Sequence, residues 1–498
     1  MHTRHNLKKI KEIASSEEMM CFEKGQFLTN NSYRFMKNAG KLVFRFIKKK
    51  FSSKQPIIVL CGPGNNGGDG FIVAKLLKKH GYPINVYIHS DEHNYKGDAL
   101  KAIREFGKGS KKIDLFRLKK KALIIDALFG IGLKRNIKGK LKKIFNQINK
   151  SNNSVISVDI PSGVCSNTGK ILGSAIKADF TVTFHRKKVG HVLAPGKEFS
   201  GKIEVVDIGF SQQEMKTQCL ENSPNLWAKH FPWKKTTDHK YSRGRAVVYG
   251  GQKEFTGATI LSAQAALRTG TGSVKIICSR DTLQIYSIKF PSALKTEIND
   301  IFQLEHFLKN EKITSILIGP GLGTSKKNKE ITKLILRKIK YVVLDADALT
   351  CFKDDLKSLY SLLDKNKIIT PHLGEFHRIF PKIKKNLNNI DKVLNAVKLI
   401  KSNIVLKGPS TIIVSYNNKI VINDHSSSEL AVIGSGDVLS GLIVSLVGDK
   451  KMSPFLAGCA STWLHGDIAK NYGKGLIAED IVEGIPNALK RLKKWKIY

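Results

Sequence analysis

The sequence predicts two layered α/β domains in tandem, and three observations lead there. Apolar runs of strand length alternate with helix-like stretches over two long spans. Glycine-rich clusters follow several of the apolar runs. A polar passage without period, SQQEMKTQCLENSPNLWAKHFPW (211–233), separates the spans. Such alternation implies parallel strands joined by crossover helices. A length of 498 residues also exceeds what one core serves. The boundary is placed inside the polar passage, giving domains 1–222 and 223–498.

In the first span, residues from about 15 to 50 read as helical and lead into PIIVLCG. The helix GFIVAKLLKKHG then precedes INVYIH, and ALIIDALFG follows GDALKAIREFG and KIDLF. SVISVDIPSG follows KGKLKKIFNQINK, ADFTVTFH comes next, and GKIEVVDIGF closes the unit. This is a Rossmann-like layered sheet. The second span opens at GRAVVYGG and the helix TGATILSAQAALRTG. It continues through SVKIICS, TSILIGPGLG, YVVLDADALT, KIITPHLGE and NIVLKGPSTIIVS, and ends in helices from SGDVLSGLIVSLVG onward. The two spans carry different glycine motifs and are not repeats.

Composition removes several function classes. Hydrophobic residues make up 41% and charged residues 25%, as in an ordinary globular protein. No apolar run reaches the roughly twenty residues that span a bilayer, and the basic N-terminus lacks the apolar stretch of a signal peptide. The formal charge of +43 comes from lysines spread through both halves, without interleaved aromatics. That pattern argues against nucleic acid and membrane surfaces as partners and for a field that gathers small anions. The 7 cysteines are dispersed, without a C-x-x-C pair. They fit reduced thiols in a cytoplasmic protein.

In open parallel sheets ligands bind at the carboxyl ends of strands, where the distinctive clusters fall. In CGPGNNGGDG, Gly62, Gly64, Gly67 and Gly68 allow positive φ and close backbone approach. Their amides would face a phosphate at a helix beginning near Asp69, with Asp69 as its cap. The loop lacks the usual G-x-G-x-x-G spacing and the Lys-Ser/Thr of a Walker A. A glycine turn without chemistry is the alternative. Asn66, Asp126 and Ser162 offer hard oxygen donors for a simple cation, although a strand-end Asp is as often a helix cap. Asp159 is a candidate acid or base. In GSGDVLSG (434–441), a glycine turn opens an apolar helix, and Asp437 can take a proton from a hydroxyl beside an anion hole. A plain helix cap is the alternative. GPGLG (319–323), KGPST (407–411) and His372 with Glu375 in PHLGE follow further strands. His372 reads either as a contact residue or as a satisfied hydrogen-bond partner.

These motifs, in this order, carry a resemblance over nearly the whole chain. GPGNNGGDGFIVAKLL, DALFGIGL, SVDIPSG and ADFTVTFHRKKVGHVLAPG resemble the NAD(P)H-hydrate epimerase domain. HKYSRGRAVVYGGQKEFTGATILSAQAALRTGTG, GPGLG, DADALT, PHLGE, KGPST and GSGDVLSG resemble the ADP-dependent NAD(P)H-hydrate dehydratase domain of the ribokinase-like group. The resemblance implies a Rossmann-like N-terminal domain and a ribokinase-like C-terminal domain. It also implies an enzyme of two activities, exchange of the R and S hydrates and ADP-dependent dehydration of the S form.

By the same resemblance, Asn65, Asn66, Gly67, Gly68 and Asp69 would hold the hydrated dinucleotide. The loop Gly130, Ile131, Gly132, Leu133, Lys134, Arg135 and Asn136 would do so too, together with Asp159. Asn66, Asp126 and Ser162 would coordinate a potassium ion. Ala258, Gly321, Gly323 and His372 would contact the hydrate in the second domain. Lys407, Gly408, Pro409, Ser410, Thr411, Gly436 and Asp437 would contact the adenine nucleotide, with Asp437 the general base. A magnesium ion is expected at the phosphates, and the small-molecule partners are NADH and NADPH hydrates and ADP. The expected assembly is a homo-oligomer. Three positions depart from the family pattern: Cys165 replaces an acid, Leu373 a proline and Ile433 a glycine. A β-branched residue resists positive φ, so Ile433 is expected to leave the anion loop less well shaped. A vitamin or sugar kinase fused to a nucleotide-binding module is the alternative reading, and a non-catalytic N-terminal module is another.

Overall fold

The computed structural model describes residues 10–29, 31–210, 215 and 217–496. The first nine residues, and part of the passage read as the boundary, lie outside these. Two compact units emerge, one of Glu12–Cys219, the other of Leu220 onward together with Ile10 and Lys11.

The first unit is built on seven strands: β1 (Ile57–Cys61), β2 (Ile84–Ile88), β3 (Ser110–Lys112), β4 (Leu123–Ala127), β5 (Ser154–Val158), β6 (Phe180–Phe184) and β7 (Lys202–Val206). Their order is β3-β2-β1-β4-β5-β6-β7, and every pairing is parallel. The central strands are apolar on both faces, IIVLC and LIIDA among them, because helices cover both sides. The order reverses between β1 and β4, which opens a crevice at their carboxyl ends. The short, polar β3, SKK, did not stand out among the apolar runs.

The second unit carries β8 (Arg245–Tyr249), β9 (Ser273–Cys278), β10 (Leu294–Glu297), β11 (Ser315–Ile318), β12 (Val342–Leu344), β13 (Lys367–Ile369), β14 (Asn403–Leu406), β15 (Thr411–Val414) and β16 (Ile420–Asn423). They run β10-β9-β8-β11-β12-β13-β14-β15-β16. Pairing is parallel from β10 to β14 and antiparallel from β14 to β16. The sheet thus reverses again between β8 and β11. KGPS, between β14 and β15, is therefore the turn of a hairpin, a closing not evident from the alternation. The helices Thr256–Thr269 and Ser435–Leu446 cover one face and share the core with Trp227 and Trp463.

Helix Ser435–Leu446 lies close on Thr256–Thr269 because Gly441 has no side chain. A Cβ there would run into the Ser262 carbonyl oxygen. The approach matters to function, since Ser262 Oγ reaches the Asp437 carbonyl oxygen at 3.0 Å. Alanine gains about 1 kcal/mol of helix propensity over glycine, but forcing a methyl against backbone costs about 1–3 kcal/mol and displaces the helix. Gly441→Ala is expected to lower the urea midpoint and to impair the Asp437 site. A midpoint at or above that of the parent would show that the two helices have room to part.

Candidate functional site

In the first unit, the turn after β1 runs directly into the helix Asn65–Lys79. The helix begins one turn earlier than expected. Its N-cap is Gly64, in extended conformation, so Asp69 stands inside the helix and does not cap it. None of Gly62, Gly64, Gly67 and Gly68 has positive φ. Close approach is what they provide: a Cβ at Gly62 would meet the Leu128 carbonyl, and one at Gly67 the Gly62 carbonyl. That compactness lets the first helical turn press onto the strand ends.

Two of the candidate oxygen donors meet at the end of β4. Asp126, fully buried on β4, accepts from Ser162 Oγ at 2.5 Å, Ser162 N at 2.8 Å and Ser157 Oγ at 2.8 Å. Burial holds its carboxyl above the usual range despite these donors. Among the described residues no lysine or arginine pairs with it. The Ser162 hydroxyl also accepts from Phe129 N at 2.9 Å. Asn66 is buried, yet neither its Oδ1 nor its Nδ2 has a hydrogen-bond partner among the described residues. An orphaned amide oxygen, a buried unpaired carboxylate and a hydroxyl oxygen suit a hard monovalent cation.

Beside it, Asp159 ends the β5 run at a φ of 65°, an uncommon conformation for a non-glycine residue. Lys188 Nζ donates to Asp159 Oδ1 at 2.5 Å, to Thr183 Oγ1 at 2.9 Å and to the Phe184 carbonyl at 3.2 Å. Thr183 Oγ1 also donates to Asp159 at 3.0 Å. Burial opposes ionisation of Asp159, but the Lys188 ammonium outweighs it and holds the carboxyl below its ordinary value. A cavity of about 700 Å³ opens above. Its wall includes Asn65, Asn66, Asp69, Asp159 and the loop from Gly130 to Arg135. Gly67, Gly68 and Asn136 are not on the wall; Gly68 packs on Met36 and Asn136 borders Gly173. Glu23 and Lys188, absent from the sequence-based candidates, belong to this site. The FHRKKVGH run holds the lysine, but nothing there tells which of its two lysines turns inward.

The second unit gathers its polar groups at the ends of β12, β13 and β14. Lys407 Nζ donates to Asp345 Oδ1 at 2.7 Å and lies 4.0 Å from Glu375. Ser440 Oγ donates to the other Asp345 oxygen at 3.0 Å. Asp345 precedes Ala346, whose φ of 44° marks a tight bend after β12. His372 Nδ1 accepts from the amides of Gly374 and Glu375 at 2.9 and 3.3 Å, and Glu375 accepts from His372 N. His372 thus caps the helix Leu373–Ile379, with Nε2 left 3.4 Å from Glu375. Leu373, the departure from proline, is the first residue of that helix.

Positive φ at the anion turn falls on Gly434 (85°), not on Ile433, whose side chain is fully exposed. The expected deformation is therefore not found, because the left-handed position still carries glycine. Asp437 is the third residue of helix Ser435–Leu446. Burial pushes its carboxyl up to about 7, Asp345 adds to the rise, and Lys407 opposes it. Gly436 lies beside Lys407, and Ser262 ties the Ala258 carbonyl to the Asp437 helix. Gly321 and Gly323, both at positive φ, stand against Phe255 and Gln252. Gly408 and Thr411 are linked at 3.3 Å within the hairpin turn, and Pro409 accepts from Ser426. Asp345 and Ser440 were not singled out from sequence, although DADALT was.

Comparison with known proteins agrees with both halves. Residues 246–487 match the family described as NAD(P)H-hydrate dehydratase, and residues 32–190 the YjeF-related protein N-terminus. A relative from Dictyoglomus turgidum, named bifunctional NAD(P)H-hydrate repair enzyme Nnr, is 33% identical over 91% of this chain and 93% of its own. Proteins of the same name from Moorella thermoacetica and Escherichia coli K12 are 30% and 29% identical. They cover 97% and 90% of this chain, and 95% and 88% of their own. A ribokinase-like superfamily protein from Enterococcus faecalis V583 superposes with a TM-score of 0.50 at 21% identity, over 57% of this chain and 99% of its own, a likeness of fold. With a 33% identical relative matched almost end to end, the chain belongs to the family of bifunctional NAD(P)H-hydrate repair enzymes.

Proposed function

We propose that the chain repairs hydrated nicotinamide cofactors in two steps: its first unit exchanges the R and S hydrates of NADH and NADPH, and its second dehydrates the S form with ADP. The observation that carries the reading is that each unit puts an ionisable carboxyl among the motif loops at its strand ends. In the first, Asp159, Asn65, Asn66, Asp69 and the loop from Gly130 to Arg135 surround one cavity. In the second, Asp437 sits over Lys407 and the hairpin turn. Residues 1–222 serve the first step and 223–498 the second. Ala258, Gly321, Gly323 and His372 contact the hydrate in the second unit. Lys407 to Thr411 and Gly436 contact the nucleotide.

The hydrate carries a hydroxyl on the carbon beside the ring nitrogen. Breaking and re-forming that C–O bond with acid–base help inverts the centre. Dehydration needs a better leaving group than hydroxide, and transfer of the ADP β-phosphoryl group to the hydroxyl makes one. Asp437 takes the hydroxyl proton, while amides of the Gly434 turn and Lys407 hold the phosphoryl oxygens. Loss of phosphate, driven by the ring-nitrogen lone pair, and of a proton from the neighbouring ring carbon then gives NAD(P)H, and AMP departs. A magnesium ion would be held by the nucleotide phosphates and would supply positive charge there. Potassium fits the Asn66, Asp126 and Ser162 oxygens, where it would supply fixed positive charge below the cavity. The seven free cysteines fit a reducing, cytoplasmic setting, and assembly as a homo-oligomer remains part of the reading. The kinase alternative lacks a specific observation in its favour.

Incubation with hydrated NADH and ADP tests the whole: loss of hydrate with AMP release is expected, whereas phosphorylation of an added alcohol without hydrate loss would identify a kinase. Asp437→Asn is expected to cut dehydration by about 10²–10⁴-fold and leave epimer exchange intact. As a base Asp437 works ionised, so kcat/KM for dehydration should rise with pH through about 7. A flat profile, or an undiminished Asp437→Asn enzyme, contradicts this role. Asp126→Ala is expected to weaken the potassium dependence of epimer exchange; identical potassium titrations of the two proteins would remove the ion from this site.

A further inference from the structure

We propose that Glu23 is a catalytic acid of the epimer-exchange site, giving its proton to the departing hydroxyl while Asp159 receives one from the returning water. The inference rests on the epimerase reading given above. Glu23 comes from helix Ser16–Thr29 and lines the same cavity as Asp159. The helix is pinned where it starts: Ser16 N donates to Asn167 Oδ1 at 2.7 Å, and Asn167 Nδ2 to Glu17 at 2.7 Å. Phe22, the neighbour of Glu23, stacks on His185 at 4.6 Å. These contacts fix the helix to the segments that follow β5 and β6.

Glu23 has no hydrogen-bond partner among the described residues, whereas Asp159 has the Lys188 ammonium and the Thr183 hydroxyl. One lysine thus faces three carboxyls, those of Asp159, Glu23 and Asp69, and is bonded to Asp159 alone. The lysine keeps Asp159 ionised. Burial pushes Glu23 up to about 7 and the Asp159 charge adds to it, with Lys188 opposing. Asp69 also lines the cavity and lies well above its ordinary value through burial, so Asp69→Asn is the control that separates it from Glu23. Glu23 is half-buried and open to the cavity. Two carboxyls in one cavity, with protonation states pushed apart, divide into an acid and a base.

The C–O bond breaks with its electrons on oxygen, the Glu23 proton completes a water, and the ring-nitrogen lone pair forms C=N. Water then adds to the other face, the C=N pair returns to nitrogen, and the surplus proton passes to Asp159. Exchange with solvent water restores both carboxyls, with no net consumption.

The test uses the full chain, following R/S exchange of NADH hydrate by chromatography without ADP, and dehydration of the S form with ADP. Glu23→Gln is expected to slow exchange about 100-fold or more while dehydration and the potassium response persist. Glu23→Asp should retain part of the exchange. The charged or titratable groups around Glu23 are Lys188, Asp159, Asp69, Lys134, Arg135 and His185. An acid works protonated, so wild-type kcat/KM for exchange should fall above pH about 7, and the residual rate of Glu23→Gln should lack that fall. Exchange at the wild-type rate in Glu23→Gln, or loss of exchange in Asp69→Asn alone, overturns the proposal. A wild-type chain that never exchanges the epimers refutes the epimerase reading itself, a result distinct from either. If Glu23→Gln loses dehydration too, its fold has failed and Glu23→Asp decides: reduced exchange with full dehydration supports the acid, and undiminished exchange overturns it.

Discussion

A lysine paired with the aspartate at a strand end sets the electrostatics of both units. Lys188 meets Asp159 at 2.5 Å in the first and Lys407 meets Asp345 at 2.7 Å in the second. Each site holds more carboxyls than lysines, so once the ammonium is committed to one partner the next acid is short of charge compensation. Burial then lifts that acid, Glu23 in one unit and Asp437 in the other, to about 7. One arrangement thus recurs in both units: a fixed anion–cation pair, and a neighbouring carboxyl that changes protonation near neutrality.

The arrangement also explains which of the many cations matter. The chain carries 84 lysines and arginines against 41 acids, and most lie exposed where water and salt screen them. Surface pairs such as Lys75 with Glu105 contribute little to stability. Lys188 has a side chain only 2% exposed, so its charge acts through protein rather than water. Removing it would leave Asp159 buried and unpaired, which costs about 3–5 kcal/mol in comparable pairs. Asp159 has a lowered folded pKa, so the pair stabilises above the ordinary carboxylate range, and the contribution is lost as pH falls through the folded value.

Much of the fold was legible because both sheets are doubly covered, and their central strands therefore read as unbroken apolar runs. IIVLC, LIIDA and SILI could be seen for that reason. The strands that were not singled out, SKK at β3 and LKTE at β10, are edge strands with polar faces and no such run. The antiparallel turn from β14 to β16 was equally hidden, since direction is set by loop length and pairing, not by apolar pattern. At the sites, Asn66, Asp126, Asp159, Lys407 and Asp437 could be named because each ends a strand or opens a helix. Glu23, Lys188 and Asp345 could not, because their meaning comes from partners far along the chain. Lys188 lies 29 residues after Asp159, and Asp345 62 before Lys407. The glycines were recognised, but for an incomplete reason: Gly62 and Gly67 are needed for close approach of backbone, not for positive φ.

The two glycine turns differ in a way that follows from what each step must do with the hydroxyl oxygen. In the proposed scheme both act on the same C–O bond of the hydrate. Epimer exchange has to return the oxygen, so a proton, easily given and recovered, is the suitable activator. A turn without a Walker lysine, beside a carboxyl pair, would meet that need. Dehydration has to expel the oxygen for good, and a phosphoryl group does so because the phosphorylated oxygen is a far better leaving group than hydroxide. That chemistry calls for amides at a left-handed glycine, a lysine within reach and a base beside them, which Gly434, Lys407 and Asp437 would supply in the proposed scheme. The substitution at Ile433 spares this turn because the backbone makes its left-handed step one residue later.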